Sequence, residues 1–246
     1  GSEMCIRDRN KVVTANIDIY ERYVQIQTKS SIDTKTIKVL NPKEVVFEGG
    51  RELELDAVSE VPRYYVCNAY GVCGIYNAPG TAVKEAYDTS GIVTNDRGVT
   101  VWLKGNRVSR NQIMAIKEES VTEQKNSLAV CLDNILRHAG ITRNTEYDLA
   151  QGKTATTILS ENMTGVQVLD LSGCTLDAVL YYVNQDIPVL AILDDGEAVL
   201  VTGFNEFNVV IMEPSTGKLY KKGMNDATAW FAENGNHFIT YMRTEN

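Results

Sequence analysis

A chain of 246 residues that is 43% hydrophobic and 23% charged has apolar content enough for two compact domains, or for one domain and a smaller module. Its net charge of -8, with the basic residues scattered, argues against a nucleic-acid partner, which needs a basic face. No apolar run approaches the roughly 18 residues that a membrane-crossing helix requires, so the chain is not expected to span a membrane.

Residues 1–9, GSEMCIRDR, resemble a cleavage scar and translated adaptor sequence and are set aside from the fold. A native signal or anchor upstream of Asn10 is then expected to be missing. From 10 to 62 the pattern is alternating and β-branched, in VVTANIDIY, YVQIQT, TIKVL, EVVF and ELELDAV. Turn formers at Ser30-Ser31, Asn41-Pro42 and Gly49-Gly50 divide it, which predicts a module of short antiparallel strands. Charges on one alternate set, as in Glu52-Leu53-Glu54, predict one wet face.

Residues 63–116 predict a small α/β module. A strand over 64–76 (YYVCNAYGVCGIY) leads to a helix over 81–89 with Pro79 near its start and Gly91 past its end, followed by strands GIVTN and VTVWLKG about an Asp96-Arg97-Gly98 turn. Trp102 is expected to anchor a small core rather than to serve as a ligand platform, since its strand neighbours are apolar. Residues 109–122 read as a short helix and linker.

From 123 to 246 helices give way to strands. Residues 127–139 place Leu128, Cys131, Leu132, Ile135 and Leu136 on one stripe, and Gly140 stops the helix. A second helix is expected over 175–183, capped near Ser172 and ended before Pro188. The apolar runs 187–193 and 198–204 flank Asp194-Asp195-Gly196-Glu197 and predict a hairpin buried on both faces. Strands FNVVIME and KLYKKG, a short helix over 226–232 and a closing strand HFITYM complete an α+β arrangement of helix on antiparallel sheet.

Cys67 and Cys73 lie six apart, with Gly71 between them and Gly74 after them allowing a bend, so a disulfide is sterically possible. Cys131 and Cys174 stand either as a second pair, which would suit an exported protein, or as buried free thiols. Two histidines, His138 and His237, and no Cys-x-x-Cys make a metal site an unexpected feature, and no cofactor is expected.

Joint spacing in the last half carries a resemblance. Gly140 lies thirteen residues after Ser127, Pro188-Val189 opens a strand, Gly203 lies six residues after Glu197, and the turn reads Glu213-Pro214-Ser215-Thr216-Gly217. Residues 123–242 thereby resemble the papain-like cysteine peptidases that cleave double-glycine leader peptides of bacteriocins, and their C39-like relatives. The resemblance implies a papain-like domain, preceded here by the β module and the α/β module. It assigns Ser127 to the slot of the nucleophilic cysteine, Glu197 to that of the histidine and Glu213 to that of the acid, with Gln124 near the position of the oxyanion glutamine.

Papain-like hydrolysis needs a thiolate made by an imidazole that afterwards protonates the leaving amine. Serine is a far weaker nucleophile, and glutamate, with a reference pKa of about 4.3, has no proton to give at neutral pH. The expectation is a catalytically inactive domain that binds a peptide or protein ligand, on an exported bacterial protein at the cell surface or outside it. The rival is an active peptidase, either a serine-carboxyl type using Ser127, Glu197 and Glu213 at acid pH, or a displaced Cys131 and His237 dyad. His138, seven residues after Cys131 on one helix, is too distant to serve.

Overall fold

The computed structural model describes residues 62–68, 71–104, 113 and 116–244, together with the strand backbones of 13–18, 23–28, 34–41, 44–47 and 51–54. The chain divides into two compact units, with Pro79–Lys84 grouped with the second and Glu85–Lys104 with the first. Both are built of antiparallel sheet with helices, a mixed α and β arrangement.

In the first unit β1 (Val13–Asp18), β2 (Tyr23–Thr28), β3 (Thr34–Asn41), β4 (Glu44–Phe47) and β5 (Arg51–Glu54) form a five-stranded meander in chain order. The expected strands are present; the expected wet face concerns side chains outside the described residues. A second sheet has the order β7-β6-β8-β9, from β6 (Tyr64–Cys67), β7 (Cys73–Tyr76), β8 (Ile92–Asn95) and β9 (Thr100–Leu103). The single strand expected over 64–76 is instead a hairpin. Asn68 closes its loop by accepting the Val72 N–H on Oδ1 at 3.0 Å, and Cys67 stands directly opposite Cys73, to which it is disulfide-bonded. Helix α1 (Pro79–Thr89) carries Pro in its first turn and ends on Ser90 in the left-handed conformation. Trp102 is 2% exposed and tilted against Tyr87 with ring centroids 6.1 Å apart, a core anchor as expected.

The second unit centres on a six-stranded sheet of order β10-β15-β11-β12-β13-β14. Its strands are β10 (Val166–Asp170), β11 (Val189–Ile192), β12 (Ala198–Phe204), β13 (Asn208–Glu213), β14 (Lys218–Gly223) and β15 (His237–Arg243). Helices α2 (Ser127–His138), α3 (Glu146–Ala150), α4 (Ala155–Asn162), α5 (Leu176–Val183) and α6 (Met224–Glu233) complete it. Helix α2 packs on β11 and β12 and touches α4, while α5 packs on β11, β12 and β15 and touches α6. All seven residues of β12 are buried, which requires cover on both faces of the sheet and explains why that strand reads as an unbroken apolar run.

One expectation gives way here. The cap of α5 is Thr175, whose Oγ1 accepts the Ala178 N–H at 3.3 Å, rather than a residue near Ser172. Residues 116–122 contain no helix, as the linker part of the expected helix and linker requires; residues 109–112, 114 and 115 of that stretch lie outside the described residues. Of the two readings of Cys131 and Cys174, the structure has the separate buried thiols. Helices α3 and α4 and strand β10 were not anticipated, although Thr154, whose Oγ1 accepts the Thr157 N–H at 3.2 Å, is an ordinary helix-start signal for α4.

Candidate functional site

Ser127 opens α2. The preceding residue, Asn126, has an extended backbone and accepts the Ala129 N–H on its side chain at 2.9 Å, which fixes where the helix begins. Beyond the other end, Gly140 sits at a φ of +83° with open space around it, and the Ile141 N–H reaches back to the Leu136 carbonyl at 2.8 Å. The helix is therefore set in length and position by its own sequence. The buried stripe comprises Cys131, Leu132, Ile135 and Leu136, while Leu128 is half-buried.

The serine hydroxyl meets the sheet at one point. Ser127 is 2% exposed, and its Oγ accepts the N–H of Ala198, the first residue of β12, at 2.9 Å. Residues 127 and 197–198, 71 positions apart, are thus brought together at the mouth of the hairpin. Glu197 is exposed; its N–H donates to Asp195 Oδ1 at 2.9 Å and its carbonyl accepts the Leu193 N–H at 2.8 Å, so its backbone is held by the turn.

Glu213 ends β13 and serves its own turn. Its Oε2 accepts the Thr216 hydroxyl at 2.8 Å and its Oε1 the Tyr220 hydroxyl at 3.4 Å. Burial of the Tyr220 ring, with the Glu213 charge and hydrogen bond beside it, pushes that phenol up to about 12. Gln124 is exposed in the tight turn where Thr122 and Lys125 pair, and its N–H donates to Thr122 Oγ1 at 3.3 Å.

The other groups are dispersed. Cys131 is wholly buried, and burial, reinforced by the charges of Glu119 and Glu197, pushes its thiol well above the ordinary range. His237 stands exposed at the start of β15, opposite Ile192, with Nε2 at 3.9 Å from Asp194 Oδ1. His138 Nε2 lies 2.6 Å from the Asp186 carbonyl, which can only accept, so that nitrogen carries the proton and ties the end of α2 to the loop after α5. Asp133, 2% exposed on α2, pairs with Lys125 and accepts the Thr145 N–H at 2.9 Å. Among the described residues no group of three His, Cys, Asp or Glu side chains is placed to hold a metal ion.

One feature of the site had no clear signal in the sequence. Residues 116–125 run as a strap that ends at Asn126 and joins α2 to the β13–β14 turn. Glu119 Oε2 accepts Asn134 Nδ2 and Arg137 Nη1, each at 3.0 Å, on α2. Glu118 Oε1 accepts the Leu219 N–H at 3.0 Å, and the Val121 N–H donates to the Pro214 carbonyl at 3.1 Å. The Ser120 side chain occupies the place that a Cβ at Gly217 would need. At Thr202 the register of β12 against β13 shifts by one residue, and the Thr202 carbonyl accepts the Ile113 N–H at 2.7 Å.

No family model matches the chain, and no curated protein matches it. Among solved structures it is similar to one described as a candidate C39-like peptidase from Bacillus anthracis, at 13% identity and a TM-score of 0.45, over 58% of this chain and 100% of that one, a likeness too coarse to carry any residue's role across.

Proposed function

We propose that residues 123–246 are a C39-like, papain-type domain that has kept its peptide seat and lost hydrolysis, and that it works by binding a peptide or protein ligand. The observation that carries this reading is the bond from the Ala198 N–H to Ser127 Oγ, at 2.9 Å with Ser127 only 2% exposed. It joins the helix start to the hairpin one residue after Glu197, beside the two positions that the family spacing pairs. A hydroxyl that accepts a backbone amide, with an exposed carboxylate rather than an imidazole on the adjoining residue, lacks the imidazole that papain-like hydrolysis uses first as base and then as acid. Neither rival arrangement draws support. Glu213 is held by Thr216 and Tyr220, and Glu197 is exposed rather than desolvated as a raised-pKa base would need. A buried thiol kept protonated beside two acids is the opposite of an activated cysteine. The Cys67–Cys73 disulfide supports placing the protein outside the reducing cytoplasm, on a bacterial surface or in the medium.

Labelling with a fluorophosphonate and with iodoacetamide, at about pH 4 and about pH 7.5 to cover both chemistries, tests the reading. Neither probe is expected to modify Ser127 or Cys131 in the folded chain, and a mixed-sequence quenched peptide library should remain uncut. Stoichiometric labelling at either residue, abolished by Ser127→Ala or Cys131→Ala together with peptide cleavage, overturns it.

A further inference from the structure

The strap bears two consecutive acidic residues, and each is received by a different wall. Glu119 faces the side-chain donors Asn134 and Arg137 of α2, each at 3.0 Å. Glu118 faces the sheet, where its carboxylate takes the Leu219 N–H at 3.0 Å. Leu219 belongs to β14, the last strand of its sheet, and stands opposite Met212 on β13. Its N–H turns away from β13 to reach Glu118, so it lies on the open edge of the sheet. Lys218 and Lys221, both exposed, flank that amide on the same strand of a chain whose net charge is -8. Local positive charge against an acidic whole marks a place where an acidic segment is favoured.

Lysines on an edge strand also discourage unwanted strand pairing, and that role alone would explain them. It does not explain a carboxylate bonded to the edge amide, nor an arginine and an asparagine converging on the next carboxylate. We propose that the seat between α2 and the edge of β14 is a docking site for extended peptides presenting two consecutive acidic residues, which residues 116–122 occupy in cis. The inference rests on the peptide-binding reading above and adds the chemistry of the ligand and its control: an incoming segment competes with the strap. Release is feasible because Glu118 is exposed and Glu119 half-buried, so the contacts to be exchanged lie at the surface, while Ile116 is buried and holds one end. At the other end the Thr122 and Lys125 pairing and the Lys125–Asp133 ion pair hold the chain at the start of α2.

The test is a fluorescence-anisotropy titration on the full chain. The probes are a labelled heptapeptide with the sequence of residues 116–122, Ile-Lys-Glu-Glu-Ser-Val-Thr, and its counterpart with Gln-Gln in place of Glu-Glu. The receptors are the natural chain and the Glu118→Gln/Glu119→Gln double variant, whose strap has lost its carboxylates. The variant is expected to bind the acidic peptide roughly tenfold more tightly than the natural chain does, and roughly tenfold more tightly than it binds the Gln-Gln peptide, the scale of one charge-assisted hydrogen bond. Adding Arg137→Ala should erase the preference. Equal affinity for the two peptides, equal affinity of the two chains for the acidic one, or no binding by a variant whose circular dichroism is native overturns the proposal. Should the double variant not fold, Glu118→Gln alone, at an exposed side chain, replaces it as receptor, and the same equalities of affinity overturn the proposal. A fall in anisotropy over time at fixed composition would report cleavage and would overturn the non-hydrolytic reading, while the initial affinities still decide the docking site.

Discussion

Ser127 holds a structural place at the start of α2. Its hydroxyl satisfies the Ala198 N–H where water has little access. Ser127→Ala therefore leaves a buried donor unpaired, and the expected cost is about 1–3 kcal/mol, read as a lower urea midpoint at unchanged denaturant slope. Peptide hydrolysis should be nil before and after the change. Ser127→Cys with Glu197→His is expected to yield a thiol that stays poorly reactive toward iodoacetamide, since residue 127 is enclosed whatever its side chain. Rapid alkylation of that cysteine would show that burial is not what silences the site. The spacing that singles out Ser127, Glu197 and Glu213 was legible in the sequence. Their engagement was not: Glu213's commitment to Thr216 and Tyr220 depends on how the hairpin folds back on itself.

Elements in the second unit are set largely by local signals. Asn126 caps α2, and Asn126→Ala is expected to cost about 1 kcal/mol. Gly140 needs a left-handed φ of +83° with nothing near a would-be Cβ, so Gly140→Ala is expected to cost about 1 kcal/mol from backbone strain without any clash. Both effects would be read as shifts in chemical-denaturation midpoint. A charge cluster holds the region of α3 and α4: Asp148, 4% exposed, pairs with Arg143 at 3.1 Å and Lys153 at 3.2 Å, and Lys153 also reaches Glu161 at 2.6 Å. Desolvation alone would raise the Asp148 carboxyl, but the hydrogen bonds and charges of Arg143 and Lys153 outweigh it and hold the carboxyl below its usual value. A depressed carboxyl stabilises the folded chain above the unfolded pKa of about 3.9, and that contribution is lost as pH falls through the lower folded value. Stability measured by denaturant between about pH 5 and about pH 2 should fall less steeply in Asp148→Asn than in the natural chain. The same slope in both would remove Asp148 from the acid response. Strand β10 and helices α3 and α4 escaped the sequence because their apolar patterns are short. Val166, Gln167 and Val168 are all half-buried at a strand that gains its place only by pairing with β15.

For the molecule as a whole, the Cys67–Cys73 bridge closes a separation of six residues across one strand pair. On the chain-entropy account such a loop stabilises by about 2 kcal/mol, so dithiothreitol is expected to lower the thermal midpoint of the first unit. The tryptophan signal of Trp102, which lies in that unit, and that of Trp230 in α6 distinguish the two units when each is replaced in turn by Phe. A midpoint unmoved by reductant would assign the bridge no stabilising part. The sequence alone determined the antiparallel, β-rich character of the chain, the hairpin of β11 and β12, and the start and stop of α2, because periodicity, caps and turn residues are local or additive along the chain. Only the tertiary structure decided that the 64–76 run folds into a bridged hairpin, that Cys131 and Cys174 remain apart, and that residues 116–122 lie as a strap bonded to α2 and β14. Those outcomes depend on partners distant in sequence. A carboxylate at 118 is an ordinary solvated side chain until the edge amide of Leu219, 101 residues on, is brought to it.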